Sequence, residues 1–238
     1  MSRKSARYGS ETVRGGRMPR GIFKWMALAA FLSWGLGAAQ ASPMTSSYTN
    51  ERVTSFDLNA QGWRDWGRWE DNSGTASARK EGGTILSDTI ARSSSSGSVW
   101  NSDHRFVQGT SDRDMITAQG SSGKLTVTLN LVRGSRHSVF IYGRCVNIAN
   151  RNDVRITATV AGQTDVLDIP RTLSEHGGAF IYQLDIEALP AGETLTIELS
   201  VLEDEDTTAR QQDRSVRLGA VGVAEEPLPA DGTAVRFR

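Results

Sequence analysis

The chain has 238 residues, of which 38% are hydrophobic and 23% are charged, and its 27 Lys and Arg residues balance its 27 Asp and Glu residues. This length suits a single all-β domain that buries its own core. The one cysteine, Cys145, excludes an internal disulfide and a thiolate-rich zinc site. Because Cys145 is in phase with Val139 and Ile141, it is predicted to be a buried structural residue.

The N-terminal segment has the pattern of a secretory signal. An apolar run at 22–41 follows a basic leader and ends in Ala39-Gln40-Ala41, a small-x-small cleavage sequence. A membrane anchor is the disfavoured alternative, because the apolar part is shorter than the ~20 residues that a span needs. We expect residues 1–41 to be a signal peptide that is removed near Ala41, with translation starting at Met1 or Met18. The mature protein is then secreted or periplasmic.

Removal of this segment changes the charge balance. Residues 1–41 hold seven Lys and Arg residues and one acid, Glu11, so the remainder carries 20 basic and 26 acidic residues, a net charge of −6. A mildly acidic domain without a basic stripe argues against nucleic acid and against an anionic membrane surface as partners. The expected partner is a glycan or another cell-surface molecule, with no membrane insertion of the mature chain. The oligomeric state stays open.

The signal peptide is tested by N-terminal sequencing of protein taken from the extracytoplasmic fraction. We expect the mature chain to begin near Ser42, because cleavage follows the small residue at the end of the Ala39-Gln40-Ala41 sequence. An intact N-terminus, or protein retained in the cytoplasm, would contradict the assignment.

Beyond residue 41, short runs of alternating apolar and polar residues are separated by turn-forming sequences, a pattern that predicts β-strands. In the run 124–132, for example, Leu125 and Val127 face one way and Thr126 and Thr128 face the other. The predicted strands are 53–58, 84–91, 114–119, 124–132, 137–146, 153–161, 164–169, 179–189, 194–202 and 215–224. No run of helical period is long enough for a secure helix.

Many short alternating strands indicate an all-β fold. We predict a two-sheet antiparallel β-sandwich of the jelly-roll kind, with about eight to ten strands, over residues 53–224. Residues 42–52 are predicted to be a linker, and residues 225–238 a flexible tail. The Ser/Gly-rich segment 91–100 is predicted to be a loop.

A run of four acids, residues 203–206, lies between two predicted strands. A solvated hairpin tip is the favoured interpretation, because the run lacks the spaced ligands and the glycine of a known calcium loop. Calcium binding by this run stays open. No cofactor and no metal site is assigned to the chain.

The sequence contains no familiar catalytic motif, such as Gly-x-Ser-x-Gly or His-Glu-x-x-His. His104, His137 and His176 lie in three separate segments. Ser102 and Asp103 directly precede His104, but a hydrolytic triad is assembled from distant segments, so adjacency does not indicate one. The chain is therefore predicted not to be an enzyme.

A secreted polysaccharide hydrolase is the alternative function. Such an enzyme needs a pair of carboxylates that flank the scissile bond. The candidate carboxylates are Asp65, Glu70, Asp71 and Asp88.

Three of the six tryptophans, Trp63, Trp66 and Trp69, lie within seven residues. Gly62 and Gly67 argue against a helix here. In an extended chain Trp63 and Trp69 share one face and Trp66 lies on the other. One interpretation is that all three seal the end of the sandwich. The other is that one indole faces outward and stacks on a sugar, with neighbouring charged groups binding the hydroxyls.

Several motifs in this region resemble β-sandwich modules of bacterial secreted and surface proteins. Those modules open with Asp-Leu-x-x-x-Gly and Asp-Trp-x-x-Trp, followed by an Arg/Asn-Lys step, an Ile-Ser-Asp-like strand and a later Trp and Asp. The matching residues here are Asp57, Leu58, Gly62, Asp65, Trp66, Trp69, Arg79, Lys80, Leu86, Ser87, Asp88, Trp100 and Asp103. The chain departs from the pattern at Arg68, where the modules usually carry His, and at Glu70, where they carry Gly. The resemblance spans about 53–224 and implies a galactose-binding-like fold, often attached to carbohydrate-active enzymes.

These observations lead to an expected ligand site. Trp66, the most distinctive motif position, is expected in the core, and Trp69 or Trp100 nearer to a ligand surface. Arg68 is placed to stack on an exposed ring, and Asp103 lies with Trp100 after the Ser/Gly loop, a setting that suits a binding loop. The predicted function is an exported non-catalytic domain that binds carbohydrate or another extracellular partner. A structural or adhesive surface protein is a further alternative.

Overall fold

The structure is a computed structural model. It describes residues 42–70, 72–93, 104–108, 115–144, 146–147, 150–151, 153–170, 178–189, 191–202 and 215–227. Several predictions concern residues outside this set, namely the signal peptide, Asp71, Trp100, Ser102, Asp103, Cys145, His176 and the acidic run 203–206. The described residues contain no helix of the length and apolarity that a membrane span requires.

Strands dominate the described residues. They are β1 (Met44–Thr49), β2 (Asp65–Arg68), β3 (Ala78–Arg79), β4 (Ala91–Arg92), β5 (Ile116–Gln119), β6 (Lys124–Asn130), β7 (Ser135–Arg144), β8 (Val146–Asn147), β9 (Asn150–Arg151), β10 (Asp153–Val160), β11 (Gln163–Ile169), β12 (Ala179–Ile186), β13 (Thr194–Leu202) and β14 (Ser215–Pro227). One short 3₁₀ turn, Asn59–Gln61, precedes β2.

The strands form two main antiparallel sheets. The seven-stranded sheet has the order β1-β12-β7-β14-β2-β3, and β5 also pairs with β14. The five-stranded sheet has the order β11-β10-β13-β6-β4, and β8 and β9 form a separate pair. The predicted fold class, a two-sheet antiparallel β-sandwich, is confirmed.

The main core lies between the two sheets and follows from alternation along each strand. Leu125 and Val127 of β6 and Leu199 of β13 line the inner face of the five-stranded sheet. Val139 and Ile141 of β7 line the inner face of the seven-stranded sheet. All five side chains are buried, and each contributes ~1.5–3 kcal/mol relative to an exposed position.

A second apolar layer covers part of the outer face of the seven-stranded sheet. Leu58, Trp63 and Phe106, from segments before and between the strands, pack there against Tyr142 of β7 and Ala220 of β14. This face therefore has a covered half and an open half. That division positions the candidate site described below.

The covering segments are joined to each other through backbone hydrogen bonds. The amide of Phe56 donates to the carbonyl of Arg105 at 2.9 Å, and the amide of Val107 donates to the carbonyl of Phe56 at 2.9 Å. Residues 53–58 were predicted to be a strand of the sandwich. They make a single parallel bridge between Phe56 and Phe106 instead, because their apolar residues pack on top of the sheet and not within it.

The ends of the domain differ from the prediction. Strand β1 lies inside the predicted linker 42–52 and pairs with β12 along its whole length. Only Met44 and Tyr48 of β1 pack against the core, and such a weak apolar pattern does not identify a strand. Strand β14 extends to Pro227, three residues into the predicted tail, since its pairing with β7 continues to that residue.

Candidate functional site

The three clustered tryptophans are all buried. Trp63 and Trp66 belong to the outer apolar layer, and Trp69 lies in the main core. The predicted arrangement, with Trp63 and Trp69 on one face, is wrong, because regular alternation starts only at Asp65, where β2 begins. The burial of Trp66 is confirmed, with 3% of its surface exposed.

Two of the predicted ligand contacts are interior residues. Trp69 is 0% and Arg68 is 1% exposed, so the expected surface position of Trp69 is wrong. The Arg68 guanidinium forms an ion pair with Glu70 and donates to the carbonyl of Gln108 at 3.0 Å. A stacking role on an exposed ring is thereby corrected to a buried structural role. For Trp100 and Asp103 the binding role stays a prediction.

The Asp-Trp-x-x-Trp motif forms the centre of a buried polar network. The Asp65 carboxylate accepts hydrogen bonds from the amides of Ile85 and Leu86, both at 2.8 Å. It also forms an ion pair with Arg79 at 3.2 Å. A side chain at Gly83 would collide with this carboxylate. Asp65 thus determines the path of the segment that follows β3, which is why residues 84–91 do not form the predicted continuous strand.

Other residues of the resembling motifs also hold the scaffold. The Lys80 ammonium donates to the carbonyl of Trp63, and the Trp66 indole N–H donates to the Asn59 side chain at 3.1 Å. The Arg79 guanidinium pairs with Asp88 as well as with Asp65. These three motif residues therefore fix loops onto the sheet, and their spacing has a structural explanation.

Three of the four carboxylates considered for glycoside cleavage lie among the described residues, and all three are engaged in the same way. Asp65 and Asp88 share the guanidinium of Arg79, and Glu70 pairs with Arg68. These contacts bind the carboxylates to the protein itself.

His104 is buried, and both of its ring nitrogens contact backbone groups. Nδ1 accepts a hydrogen bond from the amide of Val53 at 3.3 Å. Nε2 lies 3.0 Å from the carbonyl of Gly143 and 3.2 Å from that of Phe180, so we assign the proton to Nε2. Burial lowers the pKa of His104 to about 4. With these contacts, His104 attaches the covering segments to β7 and β12.

The open half of the outer face contains a polar groove. It lies across the ends of β1, β12, β7 and β14 and encloses a cavity of about 200 Å³. Seven polar residues line it, namely Thr45, Arg136, His137, Ser138, Asp185, Glu187 and Glu226. Thr45, Ser138 and Asp185 each neighbour a buried residue on their strands, so the sheet itself aims them at solvent.

Hydrogen bonds organise the centre of the groove. The exposed Asp185 carboxylate accepts from the Ser138 hydroxyl at 2.6 Å and from the Gln183 amide at 3.0 Å. At the end of the groove, the Arg136 guanidinium donates to Glu187 at 2.9 Å. A hydroxyl, an amide and a carboxylate are therefore held together on neighbouring strands.

An aromatic ring borders these polar groups. Phe140 is half-buried and lies directly opposite Gln183 in the pairing of β7 with β12. Its ring stacks on that of Trp63, with ring centroids 5.5 Å apart and planes inclined by 17°. Trp63 occupies the space above Gly222, where a side chain would collide with its ring. Trp63 thus packs against Phe140 on the outer face of the sheet, beside the groove.

Sequence analysis did not identify this groove. Both faces of β7 and β12 carry apolar residues, for example Ile141 inward and Phe140 outward, so alternation alone does not show which side is open. Within the described part of the chain, no cluster of three or more His, Cys, Asp or Glu side chains is suited to a metal ion.

Comparisons with known proteins returned neither a matching family model nor a matching curated protein. Among solved structures, the chain is similar to the CBM22-1 xylan-binding domain of Paenibacillus barcinonensis Xyn10C. The TM-score is 0.34 and the identity 8%, over 69% of this chain and 94% of that one.

Two larger structures also match. For a family two carbohydrate esterase from Cellvibrio japonicus the TM-score is 0.32 and the identity 7%, over 79% of this chain and 36% of that one. For the Podospora anserina GH26-CBM35 β-(1,4)-mannanase the TM-score is 0.32 and the identity 12%, over 70% and 29%. This chain thus spans about a third of the length of each enzyme.

Proposed function

We propose that this chain is an exported, non-catalytic β-sandwich domain that binds carbohydrate in the open groove of its seven-stranded sheet. The observation that carries the proposal is the half-buried ring of Phe140 beside the hydrogen-bonded group of Ser138, Gln183 and Asp185. Sugars are bound by this combination, because an aromatic ring meets their C–H groups while hydroxyl, amide and carboxylate groups bind their hydroxyls.

The position of these groups favours binding. All four side chains project from long strands, β7 and β12, which pair over eight residues. Side chains held by paired strands lose little conformational freedom when a ligand binds, so more of the interaction energy appears as affinity. The stacking of Phe140 on Trp63 restricts the ring in the same way.

A non-catalytic role is favoured by the carboxylates and by His104. Asp65, Glu70 and Asp88 are paired with arginines, and His104 contacts backbone groups through both ring nitrogens. A polysaccharide hydrolase remains the alternative, and release of reducing sugar from a bound polysaccharide would identify it. An adhesive surface protein is the other alternative, and it would bind a protein partner but no glycan.

A glycan array followed by calorimetry tests the proposal. The wild-type protein should bind at least one oligosaccharide, and Gln183→Ala should weaken that binding about tenfold, the size expected for one or two lost hydrogen bonds. Phe140→Leu, which keeps an apolar side chain but removes the aromatic ring, should also weaken it.

Thr157→Ala is the matched control. Thr157 is half-buried on β10, in the five-stranded sheet, and its loss should leave affinity unchanged. Equal affinity of the Gln183 and Thr157 variants would contradict the location of the site.

A further inference from the structure

The charge of the groove is uneven. Arg136 is the one permanently charged cation among the residues that line the groove. It already forms an ion pair with Glu187. Asp185 and Glu226 are exposed carboxylates, and the described residues place no Lys, Arg or His within ion-pair distance of either. The groove therefore carries a net charge of −2, since three acids, Asp185, Glu187 and Glu226, share it with one permanent cation, Arg136.

The two carboxylates lie on opposite sides of β7. Asp185 is on β12, directly opposite Ser138 in the strand register, and Glu226 is on β14, directly opposite Arg136 in the register. Strands β12 and β14 both neighbour β7 and are therefore roughly 10 Å apart, since adjacent strands are separated by ~4.8 Å. Across this width the groove offers a negative charge on each side, with the polar group at Ser138 between them.

We infer that the groove selects glycans that carry free amino groups, such as oligosaccharides of unacetylated hexosamine, over neutral or acidic glycans. This inference rests on the proposed carbohydrate-binding function and assigns its ligand class. A protonated amine attached to a sugar ring bound against Phe140 lies within reach of Asp185, and a charge-assisted hydrogen bond is about twice as strong as a neutral one. A uronic acid at the same place would be repelled by Asp185 and Glu226.

The hydrogen bonds already made by Asp185 suit this role. Ser138 and Gln183 donate to the carboxylate and hold its orientation, yet neither carries a charge. A carboxylate with fixed orientation and no bound cation is prepared to accept an ammonium group without first breaking an ion pair. The pair formed by Arg136 and Glu187 at 2.9 Å similarly occupies the one arginine that would attract an acidic sugar.

Calorimetry with three tetrasaccharides tests the inference. The probes are tetraglucosamine, tetra-N-acetylglucosamine and tetragalacturonate, in a mildly acidic buffer that keeps the sugar amines protonated. We expect tetraglucosamine to bind about tenfold more tightly than its acetylated counterpart, and tetragalacturonate to bind more weakly than both. Added salt should weaken tetraglucosamine binding most.

Two variants separate the groove from general surface charge. Asp185→Asn keeps the shape of the side chain and removes its charge, so it should reduce tetraglucosamine affinity about tenfold and should reduce the affinity for the acetylated probe by a clearly smaller factor. Glu81→Gln removes one charge from an exposed residue outside the groove and should change neither.

The outcomes distinguish selectivity for amino sugars from carbohydrate binding itself. Equal binding of the acetylated and unacetylated probes would overturn the selectivity and leave carbohydrate binding intact. If Glu81→Gln and Asp185→Asn weaken the binding of tetraglucosamine equally, the assignment of the ligand to the groove is overturned. If none of the three probes binds and the glycan array is also silent, the proposed function itself fails.

Discussion

Replacing Asp65 by alanine should reduce the free energy of unfolding by about 3–5 kcal/mol, the cost of removing one partner from a buried ion pair. The Asp65 side chain is completely buried, and its carboxylate accepts from two amides and pairs with Arg79. The alanine variant would leave the amides of Ile85 and Leu86 without this acceptor. A buried donor without an acceptor costs ~1–3 kcal/mol.

The matched control is Asp88→Ala, which removes a carboxylate from the same arginine. Asp88 has 66% of its side chain exposed, and exposed ion pairs contribute only ~0.2–1 kcal/mol. Urea unfolding monitored by tryptophan fluorescence measures both variants. Equal midpoints for Asp65→Ala and Asp88→Ala would show that the buried network does not determine the path of the chain after β3.

Stability should fall by about 3 kcal/mol between pH 6.5 and pH 4, because of His104. Burial lowers the pKa of His104 from 6.5 to about 4 in the folded protein, so between these values the unfolded chain binds a proton that the folded protein excludes. The contribution of His104 is therefore fully present above pH 6.5 and is lost as the pH falls toward 4. Burial also lowers the pKa of His137, which adds to the same trend.

A variant isolates the contribution of His104. In His104→Gln the amide N–H₂ replaces Nε2–H as a donor near the carbonyls of Gly143 and Phe180, and no group titrates there. This variant should be less stable than the wild type at neutral pH and should lose less stability on acidification. The measurement is the free energy of unfolding across this pH range, with His137→Gln as the parallel variant. A slope in His104→Gln that equals the wild-type slope would contradict the buried neutral imidazole.

Much of the fold follows from alternation in the sequence. The runs 124–132 and 194–202 alternate strictly, and they become β6 and β13 at nearly the predicted bounds. Such strands bury one face and expose the other, so apolar and polar residues alternate along the sequence and predict the strand. Strand β2 is different, since all four of its residues are buried. It escaped prediction because its sequence, Asp-Trp-Gly-Arg, shows no apolar alternation.

The site was harder to predict, for a physical reason. The tryptophan cluster has the composition of a sugar platform, but Trp63 is buried against Phe140 and Trp69 between the sheets. Which aromatic ring keeps an open side depends on how the segment 53–63 folds across the sheet, and that is a tertiary contact. Ser138 and Asp185 are 47 positions apart in sequence, and only the pairing of β7 with β12 brings them together.

The most direct test of the central claim is an NMR titration of the protein with its best-binding oligosaccharide, followed through backbone amide shifts. The claim is that the glycan lies in the groove, on the outer face of the seven-stranded sheet, beside the ring of Phe140 that Trp63 stacks against. We predict that the largest shifts occur at residues 138–140 and 183–185. Shifts concentrated at residues 64–70, with those two segments unaffected, would contradict the account.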